Sequence, residues 1–339
     1  MKKNLALLTG CLLFAALAPR PCAAWDYEGH RLVNQVALAS LPANFPAFAL
    51  TPEARERIAF LSGEPDRWRN TSDLNHFNGP DHYLDLEELQ QYGLEIPSLD
   101  HFRYDFVGQM ARARGAHPEN FKPIDPEKDR DHTRQLIGFL PWAIQENFDR
   151  LKSGFAYLKA FQDGGTPEEI ANAQANIVYV MGVMGHYVGD GAQPLHTTMH
   201  FNGWVGENPQ GYTTRAIHSL IDGGYFTKIG GVTLKELEPS VHPVEVLPAG
   251  DLFKQIMDYL QAQQKLVEPL YQMEKAGKFS GEGDNGLEGK PFLTKQLVVG
   301  GQMLGTLWYT AYQQAAPDNY LRSQLAKRKL KAESAAPKN

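Results

Sequence analysis

The sequence predicts an all-α fold on three observations. Apolar residues recur at helical spacing over several long stretches, helix start signals precede some of them, and strand signals are few. Gly29 to Leu41 carries Leu32, Val33, Val36, Ala37 and Leu41 on one helical face. Pro52 to Leu61 is a shorter helix with Thr51 as N-cap and Pro52 in the first turn. His132 to Phe155 reads as long and amphipathic, with a kink or break expected at Pro141. Thr166-Pro167-Glu168-Glu169 is a capping box, and it opens a helix that runs to about Asp190. Leu252 to Met273 and Pro291 to Ala315 read as two further long helices. A short hairpin is expected in Phe226 to Leu237, and surface loops with short helices in Asn75 to Asp129. From Ala326 the sequence AKRKLKAESAAPKN reads as a fraying, solvated tail.

The chain has 339 residues, enough for one large domain or two ordinary ones. Lys2-Lys3 followed by the apolar run Leu5 to Ala18 has the form of a secretory signal peptide, with cleavage expected after Cys22-Ala23-Ala24. Leu8-Thr9-Gly10-Cys11 resembles a lipoprotein box, but the apolar stretch before it is very short. The organisation read here is a signal peptide over 1–24, one helical domain over 25–325 and a flexible tail over 326–339. Periplasmic or secreted localisation follows from the leader. Both cysteines, Cys11 and Cys22, fall inside that leader, so the mature chain has no disulfide to staple it. Loss of Lys2, Lys3 and Arg20 takes the formal charge from -6 to -9. An acidic surface disfavours tight non-specific nucleic-acid binding, so a phosphate substrate would be held at one place by metal charge. No later stretch is long and apolar enough to span a membrane, and a monomer is favoured.

The densest chemistry lies in His186 to His196, HYVGDGAQPLH, after the apolar run Ile177 to Met184. His186 and Asp190 are four apart, so on a helix they share a face and can grip one metal ion. Asp190-Gly191 reads as the helix end, because glycine tolerates the left-handed conformation that stops a helix. Gln193-Pro194 then forces a turn that can return His196 to the same site. A second pair with the same spacing stands at His218 and Asp222. His30 lies five residues after Trp25. Cleavage before Trp25 would free an α-amine of pKa near ~8, which with the Trp25 carbonyl can chelate a metal. Asp66 and His82 add a carboxylate and an imidazole.

The candidate ligand set is therefore Trp25, His30, Asp66, His82, His186, Asp190, His196, His218 and Asp222. Taken singly, each has an ordinary structural explanation: a core histidine, a capping aspartate, an ordered terminus. Taken together, two His-x-x-x-Asp pairs and the terminal spacing exceed what packing requires. Imidazole, carboxylate and amine donors without thiolate suit zinc in an open catalytic site. His76, His101, His117, His132, His200 and His242 are left as surface or supporting residues.

This pattern resembles the three-zinc phosphodiesterases, which comprise the single-strand-specific nucleases of the S-one/P-one type and the bacterial zinc-dependent phospholipases C. The resemblance runs from Trp25 to Asp222. It is most specific at His186 to His196, where those families show His, a gap of three, Asp, then Gln-Pro-x-His. It implies an essentially all-α fold with a tri-zinc cleft. One zinc would be held by Asp66, His82, His186 and Asp190. A second would be held by His196, His218 and Asp222. The third would be held by the Trp25 amine and carbonyl, His30 and a bridging Asp190. The short Trp25-to-His30 gap, the aspartate at 222 and a basic residue at Arg69 are similar to the nuclease branch. Gly191-Ala192 and the absence of a Gly-Gly-Asn stretch in FNGWVGENPQGYTTR depart from it.

The activity implied is hydrolysis of single-stranded nucleic acid, or of 3′-nucleotides, by a metal-activated water, to 5′-phosphate products. Asp66 would orient that water or take its proton, and Arg69 would steady a phosphate oxygen. The alternatives are a phospholipase C acting on lipid phosphodiesters and an exported zinc-binding protein without turnover.

Overall fold

The computed structural model describes residues 25–335, so the expected signal peptide and its cleavage site lie outside the described residues. The chain is all-helical and forms one domain, with no β-strand among the described residues. The helices are α1 (Tyr27–Ser40), α2 (Pro52–Leu61), α3 (Glu64–Arg67), α4 (Ser72–Asn78), α5 (Arg103–Ala116), α6 (Leu140–Gly164) and α7 (Pro167–Ala192). They are followed by α8 (Tyr225–Lys228), α9 (Leu234–Leu237), α10 (Leu252–Gln264), α11 (Val267–Lys275), α12 (Gly283–Leu287), α13 (Gly289–Gln314) and α14 (Asn319–Ala335).

The cap signals act where expected. Thr51 Oγ1 accepts from the Ala54 amide at the start of α2. Thr166 and Glu169 form a reciprocal capping box at the start of α7. Helix α7 is the central element, packed on α6, α13 and α2, while α1 lies along α13. Two glycines let its neighbours come close. A Cβ at Gly182 would overlap Leu61, and one at Gly185 would overlap the Asn34 carboxamide. Asn34 instead donates to the carbonyls of Ile58 and Gly182, tying α1, α2 and α7 at one point. That junction sits one turn from both His30 and His186.

Several boundaries differ from the sequence reading. The helix expected from His132 begins only at Leu140, so Pro141 stands in the first turn, where its missing N–H costs nothing, and the helix runs on to Gly164. His132 itself has a left-handed φ of 54°. Leu252 to Met273 is two helices, because Pro269 would collide with the carbonyl four residues earlier and cannot continue an incoming helix. The expected hairpin over 226–237 is two helical turns, α8 and α9, separated by Gly230 and Gly231 at φ 86° and 90°. Segment 75–129 contains a full helix, α5. The tail expected to fray from Ala326 continues α14 to Ala335, anchored by buried Leu325 and by Arg328, which pairs with Glu169 at 2.7 Å. Helix α7 does not stop at Gly191. It runs to Ala192, and Gly191 leaves room for Tyr259 and Leu260 instead.

Candidate metal centre

Five segments bring the candidate ligands together. Asp26 caps α1 by accepting from the Gly29 amide, which sets His30 on the buried face of the first turns. The turn α3 carries Asp66. A 3-10 turn over Gly79–His82 carries His82. The last turns of α7 carry His186 and Asp190, and the 3-10 turn Pro194–Thr197 returns His196. His218 stands two residues before a π-helical turn, Leu220–Gly224, that carries Asp222. Such wide turns cluster at functional sites.

The distances define three groups with a shared middle. His30, Asp66 and His186 form one, His82, His186 and Asp190 a second, and His196, His218 and Asp222 a third. Asp190 Oδ1 lies 3.4 Å from His30 Nε2, whereas its Oδ2 lies 3.1 Å from His82 Nδ1 and 3.4 Å from His186 Nε2. His218 Nε2 lies 3.0 Å from Asp222 Oδ2. Asp66 Oδ1 lies 3.9 Å from His186 Nε2 and 3.2 Å from the Arg69 guanidinium.

Trp25 is placed differently from the rest. Its indole is fully buried, donates to the Gly189 carbonyl at 2.9 Å and stacks on Phe226. The Asp26 amide donates to the Asp222 carbonyl at 3.1 Å, so the Trp25–Asp26 main chain runs beside that ligand-bearing turn.

The histidine orientations are informative. His186, His196 and His218 each direct Nδ1 at a backbone carbonyl, those of Ser62 (2.7 Å), His82 (2.5 Å) and Phe201 (3.0 Å). A carbonyl can only accept, so in each ring the proton sits on Nδ1 and Nε2 holds a lone pair aimed inward. Burial drives all these imidazoles toward the neutral form: His186 down to about 3, His218 to about 4, and His82 and His196 well below the ordinary range. His196 Nε2 and His218 Nε2 then face each other at 3.1 Å, two lone pairs with no proton to share. A cation between them turns that repulsion into coordination.

The carboxylates carry the complementary signature. Burial, with the neighbouring Asp66 charge adding to it, pushes Asp190 well above the carboxylate range. Burial does the same to Asp222, and raises Asp66 against the opposing pull of Arg69. Both Asp190 oxygens and Asp222 Oδ2 are buried without a hydrogen bond. A buried carboxylate lacking hydrogen bonds is costly, and a bound cation supplies what is missing. These buried His and Asp groups are therefore suited to hold metal ions.

Two contributors were not singled out as site residues from the sequence. Gln193 donates from Nε2 to Asp222 Oδ1 at 2.6 Å and accepts from the Leu195 amide at 2.6 Å, so it both shapes the turn and aims Asp222. Its signal was only the turn it shares with Pro194. Asp26 was readable as a helix cap but not as a neighbour of Asp222. His200 stays apart from the three groups and stacks on Trp204 at 4.0 Å. Compared with known proteins, the chain matches no family model and no curated sequence.

Proposed function

We propose that this chain is an exported zinc-dependent phosphodiesterase that hydrolyses single-stranded nucleic acid, with 3′-nucleotides as related substrates. The observation that carries the reading is the posture of Asp190, whose two oxygens address different imidazoles and so would hold two neighbouring metal ions. Such neighbouring positions, a few ångströms apart, are the signature of multinuclear phosphoryl-transfer sites. Zinc is favoured by the donor set, since neutral imidazole and carboxylate are available and thiolate is not.

His82, His186, Asp190 and Asp66 would hold one ion, His196, His218 and Asp222 a second, and His30, Asp190 and the Trp25 main chain a third. When bound, zinc supplies an acidified water and neutralises charge on the phosphoryl oxygens. The chain's own groups do the rest. Asp66 is the least buried of the ligand carboxylates, with 20% of its side chain exposed. It accepts the proton of the attacking water. Arg69, held by Asp66, steadies a non-bridging phosphate oxygen through its guanidinium. The backbone carbonyls behind His186, His196 and His218 fix the imidazole rings so that no reorganisation is needed on binding.

A second reading, phospholipase C, is favoured by one observation: Leu74 and Phe77, 43% and 66% exposed, stand on α4 three residues apart. The test is zinc content of the chain beginning at Trp25, with hydrolysis of single-stranded DNA and of phosphatidylcholine measured on the same sample. Three ions with DNA cleavage are expected. Lipid cleavage alone would replace nucleic acid by lipid as substrate, and full loading without turnover of either would leave a zinc-binding protein.

A further inference from the structure

Arg69, which pairs with Asp66 at 3.2 Å, also lines a cavity of about 590 Å³ together with Asn70, Thr71, Ser72, Lys128 and Arg130, among others. A second cavity of about 550 Å³ shares Lys128 with the first and is lined also by Arg134, Arg114, Lys122, Met199 and Val205. The two linings together include Arg69, which pairs with Asp66, and Met199 and Val205 from the segment between His196 and His218.

Its charge runs against that of the chain. The two cavities are lined by six basic residues, Arg69, Arg114, Lys122, Lys128, Arg130 and Arg134, and four acidic ones, Glu88, Asp125, Glu127 and Asp131. The whole sequence is acidic, at -6. Two of those four carboxylates are committed within the wall. Asp125 accepts from the Glu127 amide and pairs with Lys128 at 3.3 Å. Asp131 accepts from Asn75 Nδ2 at 2.5 Å and from Thr133.

The wall is also fixed in place. His76 Nδ1 bonds the Asp131 carbonyl at 2.8 Å, which ties the loop over 120–135 to α4, and within the loop Asp129 Oδ1 accepts from the Arg134 amide at 3.0 Å. One partly buried ring, Phe121, lies beside the cations. Arg114 lies 4.6 Å from the centre of the Phe121 ring, which in turn packs against Tyr92. Adjoining basic cavities with an aromatic ring at one wall suit a polyanion whose phosphates repeat and whose bases stack, which is a single nucleic-acid strand.

We infer that the groove walled by loop 120–135 and α4 binds the strand flanking the reacting phosphate. This rests on the phosphodiesterase reading for its purpose, but its test does not. Lys122 and Arg130 are exposed and belong neither to the ligands nor to the groups assigned to chemistry. Binding of a fluorescent oligodeoxythymidylate of about twenty nucleotides to metal-stripped protein is followed by anisotropy across a salt series. The K122Q/R130Q variant is expected to bind about tenfold more weakly at low salt and to lose about 1.4 from the slope of log affinity against log salt, the loss of two phosphate contacts. A control double variant on α14, K327Q/K331Q, is expected to bind like wild type. Turnover of bis(p-nitrophenyl) phosphate by the zinc-loaded protein is expected to be unchanged by K122Q/R130Q, because so small a diester, seated at the metal ligands and Arg69, is too short to extend along the groove.

Equal affinity and slope for wild type and K122Q/R130Q overturn the inference. So does an equal loss in the α14 control, and so does groove-dependent binding to phosphatidylglycerol vesicles with none to the oligonucleotide. A protein that binds the oligonucleotide through Lys122 and Arg130 yet turns over no diester supports the groove and overturns the hydrolase reading.

Discussion

Asp190 presents Oδ1 to His30 Nε2 at 3.4 Å while its Oδ2 faces His82 Nδ1 at 3.1 Å. One carboxylate on α7 thereby joins a histidine from α1 to a histidine from the 3-10 turn before residue 83. It is fully buried, and neither oxygen has a hydrogen bond. Asp190→Ala is expected to lower zinc content by at least one ion per chain and to reduce phosphodiester turnover by roughly 100-fold or more. Elemental analysis of the dialysed variant checks the first, and steady-state rates on single-stranded DNA check the second. Full metal content in the variant would remove Asp190 from the ligand set.

Gln193 offers a milder test of the same centre. Its carboxamide holds Asp222 Oδ1 at 2.6 Å without itself being a ligand candidate. Gln193→Leu keeps the side-chain bulk but deletes that donor. Metal affinity should fall by about 10- to 100-fold, the usual effect of losing a group that orients a ligand. Competition with a chromophoric chelator measures it. Because His196, His218 and Asp222 form one group, only metal binding at that group should weaken.

Zinc uptake should release protons at neutral pH, and the carboxylates should be their source. The imidazoles have none to give, since burial holds His186 at about 3 and His218 at about 4, far below pH 7. Asp190 and Asp222 are displaced the other way, toward the protonated form, so protons there compete with an incoming cation. Affinity therefore falls as pH falls, because protons compete more strongly for the same oxygens. Calorimetric titration at pH 7 in buffers of different ionisation enthalpy gives the number released. A value of zero would mean that both carboxylates are already ionised without metal.

Gly185 tests the scaffold rather than the chemistry. A Cβ there would overlap Asn34 Oδ1, and Asn34 is fully buried between α1 and α7. Gly185→Ala should destabilise the fold by about 2–4 kcal/mol, combining overpacking with disturbance of the two Asn34 hydrogen bonds. Urea midpoints of the metal-free protein read this directly. Since His186 is the next residue, a shift in metal affinity should accompany the loss.

Arg69→Ala separates chemistry from metal binding. Arg69 pairs with Asp66 but is not itself a metal donor. Turnover is expected to drop by about 10²-fold, in the range seen when one charge-stabilising donor is removed, with zinc content unchanged. A parallel loss of zinc would instead assign Arg69 to holding Asp66 in place.

The sequence by itself determined the helical class, the two His-x-x-x-Asp pairs and the nine-residue candidate set. These depend on local rules: a period of 3.6 places His186 above Asp190, and Thr51 and Thr166 cap the helices they precede. Where local rules compete, the reading slipped. Pro141 is equally at home in a first turn or at a kink, and only the packing of α6 chose the former. Pro269 split a continuous apolar pattern that periodicity alone could not divide. The tertiary structure alone decided that Asp190 addresses two histidines, that His196 and His218 aim bare nitrogens at each other, and that Gln193 reaches Asp222. It also decided that Arg69 from the α3–α4 connection, Arg114 from α5 and the cations of the loop over 120–135 line two cavities that share Lys128. The physical reason is common to all of these. Spacing along a helix fixes which side chains share a face, but which faces meet depends on close approach, and here that approach rests on glycines at 182 and 185. Their significance appears only once Ile58 and Asn34 are packed against them.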